Sequence, residues 1–267
     1  MLAAKAMLLR TANQWKDAEA AAAAFLKLHP YNPVALAESA IVTAATQGGK
    51  AAIPTLQQAM AHVGQEVPAP VLDMLEIVGQ VLTAEANFLA ARAVFSLAAV
   101  IAPYDSRPLE LLARINVSPH IPLWAKDERR LMDVPADAAL RAEFQEAIAP
   151  LGRGQWSTVA DRLLALAHKV GDQPAIWRSI ATVRAWMADD EGAVEALRKY
   201  GTLEVPLDDA VEAEVLALEL SEDPLRDRRQ VFDLEYPVRE ADDLQAALAS
   251  APCFAQVQFD PAEMAEE

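Results

Sequence analysis

The chain has 267 residues, 53% of them hydrophobic and 23% charged, and its 23 basic against 39 acidic side chains leave a net charge of −16. That balance belongs to a folded chain, and its field repels polyphosphate and anionic lipid. With no basic run longer than a few residues, neither nucleic acid nor a membrane is expected as a partner.

The lone cysteine, Cys253, excludes an internal disulfide. His29, His62, His120 and His168 lack the three- or four-residue spacing that puts two ligands on one helix face, so no metal or other cofactor is expected. The first stretch, MLAAKAMLLR, carries Lys5 and Arg10 where a signal peptide needs an apolar core. The longest apolar run, Ala93 to Ala102, is half a bilayer span, so a cytoplasmic chain is expected.

In chain order, Leu2, Ala6 and Leu9 mark a first helix, with Lys5 where an apolar residue is usual. Trp15, Ala18, Ala22, Phe25 and Pro30, spaced 3, 4, 3 and 5 apart, mark a second. Met1 leaves no room for a solvating outer helix, which implies that the natural chain continues upstream or that a partner covers this end. The next pair starts at Pro33, and the step from Ala18 to its small residue Ala52 sets an interval that recurs further along the chain. Leu36, Ala40, Leu56 and Ala59 fill its seam, and Gly48 and Gly49 make its turn. The GGK at 48–50 has no upstream glycine, no following Ser or Thr and no preceding strand, so it is a turn and not a phosphate loop.

Residues 66–70 are an insertion, because Ala91 follows Ala52 by more than this interval, the excess being close to one helical turn. Leu75, Val78, Gly79 and Leu82, then Phe88, Ala91, Phe95, Ala98 and Pro103, form a third pair in which Gly79 and Ala91 let two helix backbones approach and Phe95 fills the space beside them. From Ala91 to Val159 is twice the interval, so a degenerate fourth unit is expected over 106–139. Leu109, Leu112 and Ala113 mark its first helix, while Pro119, Pro122 and Pro135 break its second half. A departure from the repeat rule is where binding is expected, which singles out Trp124 and the cluster containing Lys126, Arg129 and Arg130.

Leu140, Phe144, Ile148 and Leu151 open a fifth unit, completed by Trp156, Val159, Leu163, Leu166 and Gly171 at the same 3, 4, 3, 5 spacing. Trp177, Ile180, Ala181 and Arg184 begin a sixth, with Ala193 following Val159 by the same interval that separates Ala18 from Ala52. Val211, Val215 and Leu218 then share one face of a helix with acids on the other, the pattern of a solvating end helix. From Asp189 to Asp223 there are 12 acidic residues against Arg198 and Lys199, read as a solvated outer face. Beyond Pro224 the pattern changes. Phe232, Leu234 and Tyr236 alternate with acids as in a half-buried strand, Leu244, Ala247 and Leu248 mark a short helix, and Ala255, Val257 and Phe259 a second strand.

Both the recurring interval and the order of side chains within it resemble the tetratricopeptide repeat, whose seam has a large residue at position 4, small residues at 8 and 20, and apolar ones at 24 and 27. The resemblance implies an all-α fold over residues 1–223, a right-handed superhelical solenoid of about six helix pairs, with a small α+β appendage, β-α-β, over 224–267. It also implies a groove lined by the first helix of each pair that binds a peptide or protein surface. The groove-facing residues would be Val34, Ala37, Glu38 and Ile41; Asp73, Glu76, Ile77 and Gln80; Arg107, Glu110, Leu111 and Arg114; and Ala175, Arg178, Ser179 and Thr182. The Lys and Asn clamp of chaperone-binding members is absent, while Arg114 and Arg178 are placed to hold an acidic group.

No catalytic constellation emerges. Ser157 and Ser179 have no histidine at a readable offset, and Asp189, Asp190 and Glu191 suit a helix N-terminus. Cys253 has no basic neighbour to lower its pKa. Trp15 and Trp156 share one repeat slot and Trp177 fills another, whereas Trp124 and Trp186 lie outside the seam and are candidate ligand contacts. The expected function is a non-catalytic interaction scaffold whose partner contacts are Trp124, Lys126, Arg129, Arg130, Glu76, Gln80, Arg114, Arg178 and Trp186. The alternative is an accessory region of a larger multidomain enzyme or processing machine. Self-association through the N-terminal helix or the C-terminal strands is a further expectation.

Overall fold

The computed structural model describes residues 2–117, 121, 126 and 137–221, and among these it is all-helical, with twelve α-helices and no strand. The helices are α1 (Leu2–Thr11), α2 (Trp15–Leu28), α3 (Pro33–Gln47), α4 (Gly49–Ala61), α5 (Ala69–Ala84), α6 (Phe88–Ile101) and α7 (Ser106–Asn116). After 118–136 follow α8 (Ala138–Ile148), a 3₁₀ turn (Leu151–Arg153), α9 (Trp156–Val170), α10 (Pro174–Trp186), α11 (Asp190–Gly201) and α12 (Leu207–Ser221). The strands and helix expected beyond Pro224 lie outside the described residues, as does most of the second half of the fourth unit.

Among the described residues one turn is used four times. Asn13, Ala86, Gly154 and Ala188 all have φ between 51° and 67°. At each, the residue's N–H donates to the carbonyl three residues back and the next N–H to the carbonyl five back, as in Gln14→Leu9, Asn87→Leu82, Gln155→Pro150 and Asp189→Arg184. This pair of bonds around a left-handed residue is the Schellman closure of a helix, and it restarts the chain two residues later at Trp15, Phe88, Trp156 and Asp190. Gly154 to Ala188 spans the interval that separates Val159 from Ala193, and Ala86 to Gly154 spans twice as much, so the spacing in sequence is also a spacing of backbone conformation. At Gly154 the conformation and the space both require glycine, since a Cβ there would lie 2.5 Å from Leu97 Cδ2. Gly154→Ala is therefore expected to cost more than the roughly 1–2 kcal/mol of a left-handed alanine alone, a difference that chemical denaturation resolves.

Helices α1 to α7 pack with their sequence neighbours, and first helices also meet first helices, α1 with α3 and α3 with α5. Helices α8 to α12 pack in sequence order as well. An additional contact crosses between the two groups: α6 packs against α10 and against the 3₁₀ turn. One core consequently runs from Leu36 to Ala217, while α1 and α2 form a separate, mostly alanine cluster of Ala6, Ala18, Ala21 and Ala22 with Val42.

Of the expected seam residues of the third unit, Leu75, Val78, Gly79, Leu82, Ala91, Phe95 and Ala98 are buried, while Phe88 is half-buried and Pro103 exposed. Two expected faces differ. On α12 it is Ala213, Leu216 and Ala217 that pack, leaving Val211, Val215 and Leu218 about half exposed, because alanines allow α12 to lie close against α11. On α7 the packed stripe is Pro108, Leu111, Leu112 and Ile115, with Leu109 exposed and Ala113 on the surface.

Candidate functional site

The first helices present a row of charges that runs across four of them. Arg10, in the last turn of α1, donates from Nε to Glu38 Oε2 of α3 at 3.1 Å and from Nη2 to Asp73 Oδ2 of α5 at 3.2 Å. On α5, one turn beyond Asp73, Glu76 pairs with Arg107 Nη1 of α7 at 3.2 Å and accepts from Gln80 Nε2 at 3.4 Å. Arg107 also donates to Asp105, whose side chain caps α7 by accepting the Arg107 backbone N–H at 3.0 Å. Its hydrogen bonds hold the Asp105 carboxyl below the usual carboxylate range and raise the Arg107 guanidinium. Glu110 and Arg114, three and seven residues after Arg107, continue the same exposed stripe of α7.

Glu38 is the buried member of the row, with 1% of its side chain exposed. Burial raises its carboxyl above the ordinary 4.5, Arg10 pulls it back down, and the charge of Asp73 adds to the rise. An acid raised on folding keeps its proton longer in the native state. Its contribution to stability is therefore full below about pH 4.5 and is lost as pH climbs through the raised value. Glu38→Gln removes that loss, so the stability of the variant relative to the wild type is expected to improve from pH 4.5 to pH 7; denaturant titrations at the two values check the sign.

Of the four sets of residues expected to line a groove, the structure leaves two open. Ala37, Glu38 and Ile41 on α3 are buried, and so are Arg178, Ser179 and Thr182 on α10, the helix that packs on α6. The α5 and α7 sets stay accessible, with Gln80, Arg107, Glu110 and Arg114 exposed and Glu76 half-buried. Glu76, Gln80 and Arg114 thus share one surface, whereas Arg178 lies with Tyr200 and Asp209. There burial, with the charge of Asp209 added, raises the Tyr200 hydroxyl, which donates to Asp209 at 3.4 Å.

Trp186, expected at a ligand-facing position, is instead a core residue. It is 4% exposed, and its ring meets that of Trp156 edge-on at 6.4 Å and 68°. The position has no seam role in the repeat pattern, and α6 of the other helix group packs on the helix that carries it. Lys126 is half-buried, and its backbone carbonyl accepts from Arg92 Nη2 at 2.6 Å. Trp124, Arg129 and Arg130 lie outside the described residues. The bridging role of Arg10 escapes the repeat pattern, although a lone acid in the apolar run PVALAESAIV around Glu38 is the signal that a cation must reach it.

Among the described residues no group of three or more acidic, histidine or cysteine side chains is arranged to hold a metal, and no helix is long and apolar enough to cross a membrane. No known family model matches the chain, and a search of curated proteins finds no match.

Proposed function

We propose that the chain is a tetratricopeptide-type repeat scaffold of the cytoplasm that binds a peptide or protein surface, without catalysis, on the face formed by α5 and α7. The observation that carries this reading is the left-handed turn recurring at Asn13, Ala86, Gly154 and Ala188, the same backbone conformation before α2, α6, α9 and α11, although α3 and α4 are joined differently at Gly48. First helices meeting first helices, α1 with α3 and α3 with α5, support stacked pairs of the superhelical kind. The bound segment carries both charges, a cation toward Glu76 and Glu110 and a carboxylate toward Arg114, whose guanidinium forms bidentate bonds with such groups. Most of the affinity has to come from apolar contact with Ile77 and Leu111 between them, because exposed charges contribute orientation and association rate more than binding strength.

A peptide-display selection on the purified chain, counter-screened on the double charge reversal Glu110→Lys with Arg114→Glu, tests the reading. Selected peptides are expected to carry both signs, to bind the variant at least about tenfold more weakly, and to weaken with added salt. A selection that yields no binder, or binders indifferent to the reversal, overturns it.

A further inference from the structure

Helix α12 carries two apolar faces. Ala213, Leu216 and Ala217 pack on one side, while Leu207, Val211, Val215 and Leu218, each 50–76% exposed, run down another. These four follow one another at steps of four, four and three residues. At about 3.6 residues per turn they fall within roughly a quarter of the circumference and form a ridge roughly 16 Å long. A helix that borders a repeat array against solvent ordinarily turns a polar side to the water. This one turns large aliphatic side chains to it, which marks a contact surface.

Charge brackets the ridge. The same helical turn puts Asp208, Glu212 and Glu219 along one edge and Glu214 along the other. From Gly201 to Ser221 there are six acidic residues and no basic one. Beside the end of the ridge, a groove of about 470 Å³ between α11 and Ser221 adds Glu191 and Glu195, with Arg198 as the base that lines it.

The complement of an apolar ridge between acidic rims is an apolar stripe between basic ones. A helix supplies it over the full length, because its side chains recur at the same three- and four-residue steps and the two surfaces mesh as ridges and grooves. Lysine or arginine at its flanking positions then meets the carboxylates, as charges beside a coiled-coil seam do. Other occupants fail on charge. A second copy paired through the same face sets like acids against each other. Residues 224–267 hold ten acidic side chains against four basic ones, and an anionic lipid surface is repelled in the same way.

We propose that this face of α12 docks an amphipathic helix of a partner protein, whose apolar stripe of about three turns is flanked by lysines or arginines. The site is on a different helix from the α5–α7 face and does not rest on what binds there.

Fluorescence anisotropy of a labelled synthetic peptide, titrated with the full chain, tests the proposal. The peptide is alanine-based and about 18 residues long, enough to be partly helical in water, with leucines at the steps of the α12 ridge and lysines on both sides of them. It is expected to bind in the micromolar range, at least about tenfold more tightly than the same residues shuffled so that no face is apolar, and to weaken with added salt. Val211→Lys with Val215→Lys is expected to weaken binding at least about tenfold, whereas Glu110→Lys with Arg114→Glu leaves it unchanged. The introduced lysines lie three or four residues from Asp208, Glu212, Glu214 and Glu219, which favours the helix, so this variant is expected to melt within about 2 °C of the parent. Equal binding of the shuffled peptide, or an affinity that the α12 variant keeps, overturns the proposal. A larger fall in melting temperature shows that the chain itself covers the face, and self-association of the parent that the variant abolishes shows that a second copy does; either result overturns it too.

Discussion

Phe95→Ala is expected to lower the free energy of unfolding by about 3–5 kcal/mol, the range for truncating a buried aromatic side chain. In a chain of this size that corresponds to a melting temperature lower by roughly 6–20 °C. Phe95 is 1% exposed on α6, and its ring lies so close to Gly79 of α5 that a Cβ there would collide with its edge. The ring occupies the hollow that the missing side chain leaves, so removing it opens a void between two backbones that cannot close without unseating α5 from α6. The same geometry makes a reciprocal test. Gly79→Ala alone forces the ring out of place and is expected to destabilise the chain. In the Phe95→Ala background the added methyl enters the void and is expected to recover part of the loss. Two additive penalties in the double variant would show that the two residues do not share this hollow.

That pair is readable from sequence, because the repeat spacing reports which residues meet between adjacent helices. Gly79, Ala91 and Phe95 owe their environment to neighbours one helix away, and so do Leu36, Ala52 and Leu56. The spacing carries no information about helices far apart in the chain. Trp15, Phe88 and Trp156 occupy one repeat slot, yet the first two are half-buried and Trp156 is 2% exposed. The difference lies in Trp186 and Leu97, which α10 and α6 bring to the third of them. Trp186 is misplaced by the pattern for the same reason, and Arg178, Ser179 and Thr182 belong to an expected open groove that the packing of α10 on α6 removes.

The charge row is partly legible. Asp73, Glu76 and Arg107 fall at positions where the spacing in sequence predicts one common face. Their pairing is not legible, because it depends on how far each side chain reaches across to the next helix. The Arg10 bridge to Glu38 joins the thin alanine cluster of α1 and α2 to the rest, and it is expected to set how often that end opens. Arg10→Met leaves Glu38 buried beside a side chain that cannot answer its charge, a situation that elsewhere costs several kcal/mol. Here the loss is capped by the docking energy of α1, since release of that helix rehydrates the carboxylate. Faster amide exchange confined to residues 2–28, with the core of α3 to α6 unchanged, is the expected signature.

Trp156→Ala tests what holds the two helix groups together, and it is expected to cost about 3–5 kcal/mol as well. Polar links and an apolar junction cross between the groups. Lys50 pairs with Asp190 at 3.0 Å, but the lysine is 57% exposed, and an exposed pair of this kind contributes at most about 1 kcal/mol. Gln57 Oε1 accepts the Ser157 N–H at 2.8 Å near the start of α9, a bond whose net worth is about 0.5–1.5 kcal/mol. The apolar junction sets Trp156 of α9 and Trp186 of α10, which meet each other edge-on, beside Leu97 of α6, with Gly154 allowing the chain to approach Leu97 and Met60. Burial of two indoles outweighs those links, so Trp156→Ala removes most of the coupling while Lys50→Ala is expected to change stability by less than about 1 kcal/mol. In a repeat chain stability is a sum of unit and neighbour terms, and a weakened junction lets the units on either side unfold separately. The single transition expected of the intact chain is accordingly expected to separate into two in Trp156→Ala. Should Lys50→Ala prove as costly, or Trp156→Ala leave one unshifted transition, the junction is held by something other than the tryptophan pair.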